Sequence, residues 1–221
     1  MKNKSTRLSI FDSFKTKGDE LTGEAVRQRR IISHLAREEN SLLMTRTAIS
    51  QNIAEKNNTA WKNVYSGVFR DLDEILIPMG IVEEAGRLPL KRGPKALQEK
   101  GIPFYHLTNK GFLVALSIDE VKNKNELLRD FLSTDQMKDK GLEDSIRILL
   151  DISPNFVFFI FENYVKAHCN GKIKELLPFE ILQLKQILGK NFGIQREMLE
   201  GFVSLSASHR KNILSLLAKF G

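Results

Sequence analysis

Apolar residues recur at helical spacing along most of this chain, and that pattern is interrupted decisively only once, between Pro78 and Thr108. IVEEAGRL (81–88) and IPFYHL (102–107) are short and β-prone, and PLKRGPKALQEKG (89–101) between them is rich in Pro, Gly and Lys/Arg. Two strand-like runs joined by a loop read as an antiparallel hairpin, here with a long tip. Leu107 ends the return strand, and Thr108 is placed to cap a helix that begins with the apolar run 111–116. The fold must therefore be helical, with one small hairpin built into it.

Upstream, residues 1–22 are polar and basic with few apolar anchors, and read as a mobile arm or a loosely docked extension. From Gly23, Ala25, Val26, Ile31, Ile32 and Leu35 fall at helical spacing, with Arg27, Arg29, Arg30 and Arg37 between them, predicting an amphipathic helix that ends near Asn40. Thr45 is placed to cap a second helix with Ala48, Ile49, Ile53 and Ala54 on one face, broken at Lys56-Asn57-Asn58. Thr59 is placed to cap a third, over about 59–77, whose Val64, Val68, Leu72 and Ile75 should face a core. Pro78 and Gly80 stop it.

The order helix, helix, helix, strand, loop, strand, helix is that of a winged helix-turn-helix. YHLTNKG resembles the Tyr-x-Leu-Thr-x-Lys-Gly strand-to-helix step of winged-helix regulators of the MarR and PadR type. PMGIVEE resembles the point where their recognition helix ends and the first wing strand starts. The resemblance covers about residues 24–118, and the wing tip is longer and richer in proline than the family pattern. It implies a winged helix-turn-helix of three helices plus a β-hairpin wing (23–118); with the patterns on either side the expected fold is mainly α, with a basic arm (1–22) before it and an all-α dimerisation or effector domain (119–221) after it.

In such a fold the third helix enters the major groove of double-stranded DNA. Its candidate contacts are Asn58, Thr59, Trp61, Lys62, Asn63, Tyr65, Ser66 and Arg70. Asn can read adenine, Lys or Arg can read guanine, and Tyr or Ser hydroxyls can donate to phosphates. The bland alternative makes Trp61 and Tyr65 packing residues and Lys62 a solvated charge. Arg87, Lys91, Arg92, Lys95 and Lys100 of the wing suit the phosphate backbone or minor groove. The arginines of the first helix either touch flanking phosphates or pair with carboxylates such as Glu38 and Glu39.

Charge agrees with an anionic partner without requiring one. The chain of 221 residues carries a formal +7. Residues 24–118 hold fourteen Lys/Arg against ten Asp/Glu, whereas 119–221 hold fifteen against fourteen. Catalytic signatures are missing: there is no phosphate-binding Gly-x-x-x-x-Gly-Lys-Ser/Thr and no Gly-x-Ser-x-Gly elbow. The four histidines are scattered, and the single Cys169 excludes an internal disulfide or a multi-cysteine zinc site. Neither an enzyme, a cofactor nor a metal is expected. A reactive, redox-sensing Cys169 is the lesser reading beside a semi-buried thiol. With no leader-like apolar core at the N-terminus, and FVFFIF (156–161) as the longest wholly apolar run, a cytoplasmic protein without a membrane span is expected.

Beyond Ile118 only helices are read. Ser153-Pro154 is placed as a cap and first turn for a helix whose Phe156, Phe158, Phe159, Phe161 and Tyr164 make it apolar on nearly all sides, hence buried. Regulators of palindromic sites are two-fold dimers, so the C-terminal helices are expected to form a homodimer. No polar constellation marks an effector pocket. The expected function is a sequence-specific double-stranded DNA-binding transcriptional regulator. A winged-helix protein-interaction scaffold is the alternative.

Overall fold

A computed structural model of the chain describes residues 7–16, 18–89, 101–134 and 139–219. The protein is mainly helical with one two-stranded antiparallel sheet, and it divides into two compact units, Met1–Ile181 and Leu182–Gly221.

The first unit begins with helix α1 (Gly23–Leu35), capped by Thr22, whose Oγ1 accepts from the Ala25 amide at 3.1 Å. A 3-10 turn (Ser41–Leu43) leads into α2 (Arg46–Lys56), where Thr45 Oγ1 accepts from the Ala48 amide as its position predicted. Helix α3 (Trp61–Arg70) runs into a π-helical turn (Asp71–Leu76). Its start differs from expectation. Asn58 adopts φ +50°, Ala60 stands at the cap without a side-chain bond, and Thr59 caps nothing. A left-handed residue reverses the chain tightly, so the helix begins later than a Thr59 cap would place it.

The hairpin forms from β1 (Val82–Leu88) and β2 (Ile102–Leu107), in register from Val82 opposite Leu107 to Leu88 opposite Ile102, with a bulge between Glu84 and Gly86. Thr45 adds an isolated antiparallel bridge to Phe104, and the Tyr105 amide donates to Met44 O at 3.1 Å. Helix α4 (Asn109–Leu116) has the predicted Thr108 cap, which accepts from the Gly111 amide at 3.2 Å. Gly111 must lack a side chain, because a Cβ there would meet Ile81 O at 2.2 Å. This glycine lets α4 press against the start of β1.

Helices α5 (Lys124–Ser133), α6 (Lys140–Ile152) and α7 (Pro154–Cys169) complete the first unit. Pro154 occupies the first turn of α7 as expected, but Ser153 makes no capping bond. One core joins Ile31, Ile32, Ile49, Ile53, Val68, Leu72, Leu113 and Leu116, all at most 1 % exposed. An aromatic cluster continues it: Phe161 lies 6.2 Å from Phe131 and 5.2 Å from Phe179, which in turn lies 4.6 Å from Tyr164. The 156–161 run is thus helical, with Phe161 fully buried and Phe156, Phe158 and Phe159 half-buried.

The N-terminal segment departs from a mobile or loosely docked arm, because Leu8 and Ile10 are fully buried. The Ser9 amide donates to Gln28 Oε1 of α1 at 2.9 Å, and the Phe11 ring lies 5.2 Å from Lys166 Nζ of α7. Two apolar side chains and one backbone anchor suffice to seat it.

The second unit contains α8 (Ile181–Ser204), which starts at the boundary, and α9 (Ala207–Leu217), capped by Ser206. No helix among the described residues is long and apolar enough to cross a membrane.

Replacing Phe161 with Ala removes the ring at the centre of the aromatic cluster. It should lower the unfolding free energy by about 3–5 kcal/mol, read as a fall in urea midpoint.

Candidate nucleic-acid interface

The geometry of α3 follows from its own period. At 100° per residue, Val64 and Val68 turn toward the core, while Lys62, Asn63, Ser66, Phe69 and Arg70 fall on the opposite side and are exposed. Val68 is fully buried and Val64 half-buried. Trp61 and Tyr65 lie at the margin, half-buried, with ring centroids 5.8 Å apart and planes at 82°. They brace one another edge to face. Thr59 and Asn58 are exposed in the turn before the helix.

What holds α3 is a buried ion pair. Arg27 of α1 reaches across Gly67 to Asp71, its Nε on one carboxylate oxygen at 2.5 Å and its Nη2 on the other at 3.1 Å. Asp71 is fully buried. Burial pushes the Asp71 carboxyl above its ordinary range, while Arg27 pulls it back. A Cβ on Gly67 would lie 2.8 Å from Arg27 Nε, so a larger residue there would make the guanidinium shift. Arg46 is fixed in the same way: it bonds Asp73 and lies 4.7 Å from the Phe69 centroid and 5.3 Å from that of Tyr105. Phe69, absent from the sequence-derived contacts, is therefore a stacking platform for Arg46.

These pairings sort the cations. Arg29 forks onto Glu120 at 2.7–3.0 Å, Arg30 bonds Asn57 Oδ1, and Arg37 donates to Ser33 O at 2.9 Å. Of the four arginines of the first predicted helix, Arg27 and Arg29 thus pair with carboxylates, and Arg30 and Arg37 bond an amide and a carbonyl; none of these partners is Glu38 or Glu39. Among the described residues Arg70, half exposed, pairs with Glu24 at 3.5 Å and Asp71 at 4.0 Å alone. Arg87 is forked onto Glu84 of its own strand at 2.6 and 3.0 Å. Lys62, Asn63 and Ser66 make no side-chain hydrogen bond or ion pair among the described residues. Lys91, Arg92, Lys95 and Lys100 lie outside the described residues.

The exposed side of α3 also forms one wall of a groove of about 850 Å3. Asn63, Ser66 and Arg70 line that wall, Arg30 and Asn57 line another, and Phe14 and Leu21 of the N-terminal segment close the end. At the C-terminal end of α2, burial and then the like charges of Arg37 and Arg30 hold the Lys56 ammonium below its ordinary pKa. Lys56, Arg37 and Arg30 thus gather at that end of α2. Sequence spacing located the α3 face but not the groove, whose walls come from segments far apart in the chain.

No cluster of three or more potential metal ligands occurs among the described residues. Cys169 is buried, and burial pushes its thiol up to about 12. Compared with family models, curated proteins and solved structures, the chain matches none.

Replacing Asp71 with Ala strands the Arg27 guanidinium in a mostly buried position. Stability should fall by about 3–5 kcal/mol, measured by urea unfolding. The Cys169 thiol should stay protonated at pH 8 and resist iodoacetamide in the folded protein. Rapid alkylation should begin only in denaturant, with mass spectrometry counting the adduct.

Proposed function

We propose that the first 118 residues contain a winged helix-turn-helix that binds double-stranded DNA, and that the chain acts as a sequence-specific transcriptional regulator. Support comes from the α1–α2–α3 order, the tight turn before α3, the β1–β2 hairpin and the bridge from Thr45 that extends its sheet. The observation that carries the reading is the set Lys62, Asn63 and Ser66, exposed side by side with their polar groups unengaged among the described residues. Most arginines nearby are engaged by internal partners, so these groups are among those available for a ligand. In the proposed complex Lys62 and Asn63 address base edges. Ser66 and Arg70 meet phosphates along the groove, and the wing lysines and arginine at 91, 92 and 95 add backbone contacts. Trp61 and Tyr65, paired edge to face on α3, flank that set, and Thr59 lies at the rim.

A second reading, a protein-binding module, is favoured by Leu42, Leu43 and Ile102, which are 44–54 % exposed around the bridge to β2. A duplex-selection experiment at two salt concentrations separates the two. Recovery of a motif supports the regulator, and absence of duplex binding at low salt supports the module.

On the recovered duplex, Lys62→Ala should weaken binding by about 1–3 kcal/mol if it reads a base. If Lys62 meets only phosphate, the salt slope should instead fall by about 1. A fluorescence-anisotropy titration in which neither changes places the DNA surface elsewhere.

A further inference from the structure

The second unit, Leu182–Gly221, lacks what a folded unit needs. It spans 40 residues, near the size below which a chain needs a disulfide, a metal or oligomerisation to hold a fold. The only cysteine lies outside it, and no metal-ligand cluster occurs among the described residues. Within α8 only Leu184 and Leu188 are buried, and α9 has no buried residue. At 11 residues, α9 is shorter than the roughly 12–15 that a helix needs to persist alone in water. The two helices share few contacts and leave a cleft of about 560 Å3, lined by Ile194, Met198, Phe202 and Ile213 among others.

Apolar groups crowd this pair of helices. Ile194, Met198, Leu199, Val203, Leu214 and Leu217 are each 44–70 % exposed. At about 80 Å2 for a whole aliphatic side chain, the nine exposed large apolar residues of the unit offer about 400 Å2. A standard protomer footprint is about 800 Å2, of which a homodimer makes about 65 % apolar. The exposed area is therefore of the size that a dimer buries. At 100° per residue, Ile194, Met198, Phe202 and Leu199 span one broad arc of α8, and Lys185, Lys190, Arg196, Glu197 and Glu200 fall outside it. Glu197 is the charged residue among those that line the cleft. Cleft and protruding side chains occur on the same pair of helices, so one copy can fill the other. A flat bilayer cannot fill a cleft.

We propose that α8 and α9 form an isologous dimer interface in which two copies bring four helices together, with the partner's side chains seated in the cleft. The assignment sharpens the dimer expected of a regulator of palindromic sites, and rests on that reading only for its purpose. It places self-association on the last 40 residues rather than on α5–α7.

Light scattering on the full chain, without DNA, tests it. The expected mass is twice 25.2 kDa. The double variant Met198→Glu, Leu199→Glu should halve that mass while retaining the circular dichroism of the first unit. A wild-type monomer overturns the proposal, as does a dimer that the double variant leaves intact. A monomer that floats with phosphatidylglycerol vesicles overturns it in favour of a membrane surface. Hydrogen exchange on the wild type gives a readout independent of how the variant folds. Amides of α8 and α9 should lose protection on dilution, and protection independent of concentration counts against the dimer. Because DNA is absent throughout, a dimer that fails to bind duplex refutes only the DNA reading. A monomer that binds duplex refutes only this one.

Discussion

The pair of Arg27 and Asp71, threaded past Gly67, fixes α1 against α3, and the exposed face depends on it. A buried carboxylate is costly in isolation and tolerable only with a well-aligned cation. The fork from Arg27 supplies one, over a glycine that offers no Cβ to obstruct it. Rotation of α3 about its axis would pull Asp71 from its partner and Val68 from the core together. The direction in which Lys62, Asn63 and Ser66 point is therefore set from the far side of the helix.

The same logic explains why most arginines around α3 are engaged. Arg29, Arg30, Arg37, Arg46 and Arg87 each have internal partners, among them carboxylates, a side-chain amide, a backbone carbonyl and aromatic rings. A planar guanidinium with five donors suits such fixed contacts. Lys62, on a flexible stem, lies outside that network. A net positive charge thus becomes a short polar strip on α3 beside a groove.

The two units place different demands on their sequences. The first unit buries large aromatic and aliphatic side chains and ties its ends with the docked N-terminal segment. The second has almost no core of its own and displays aliphatic side chains.

Element order was legible from sequence where the controlling interactions are local. The Thr45 and Thr108 caps act three residues away, the hairpin follows from two β-prone runs and a breaker-rich loop, and the α3 stripe follows from its period. The Thr59 cap failed because Asn58 turned left-handed. The burial of Leu8 and Ile10 was hidden because two isolated apolar residues have no periodicity. Which charges are neutralised was illegible as well. Arg27 finds Asp71 44 residues away and Arg29 finds Glu120 91 residues away, and the groove draws its walls from the N-terminal segment, α1 and α3. The sequence alone determined a mainly helical chain with one hairpin and a polar face on its third helix, because backbone periodicity and capping act within a few residues. Only the tertiary structure decided which polar groups on that face stay free, because an ion pair forms only where packing brings distant residues within a few ångströms.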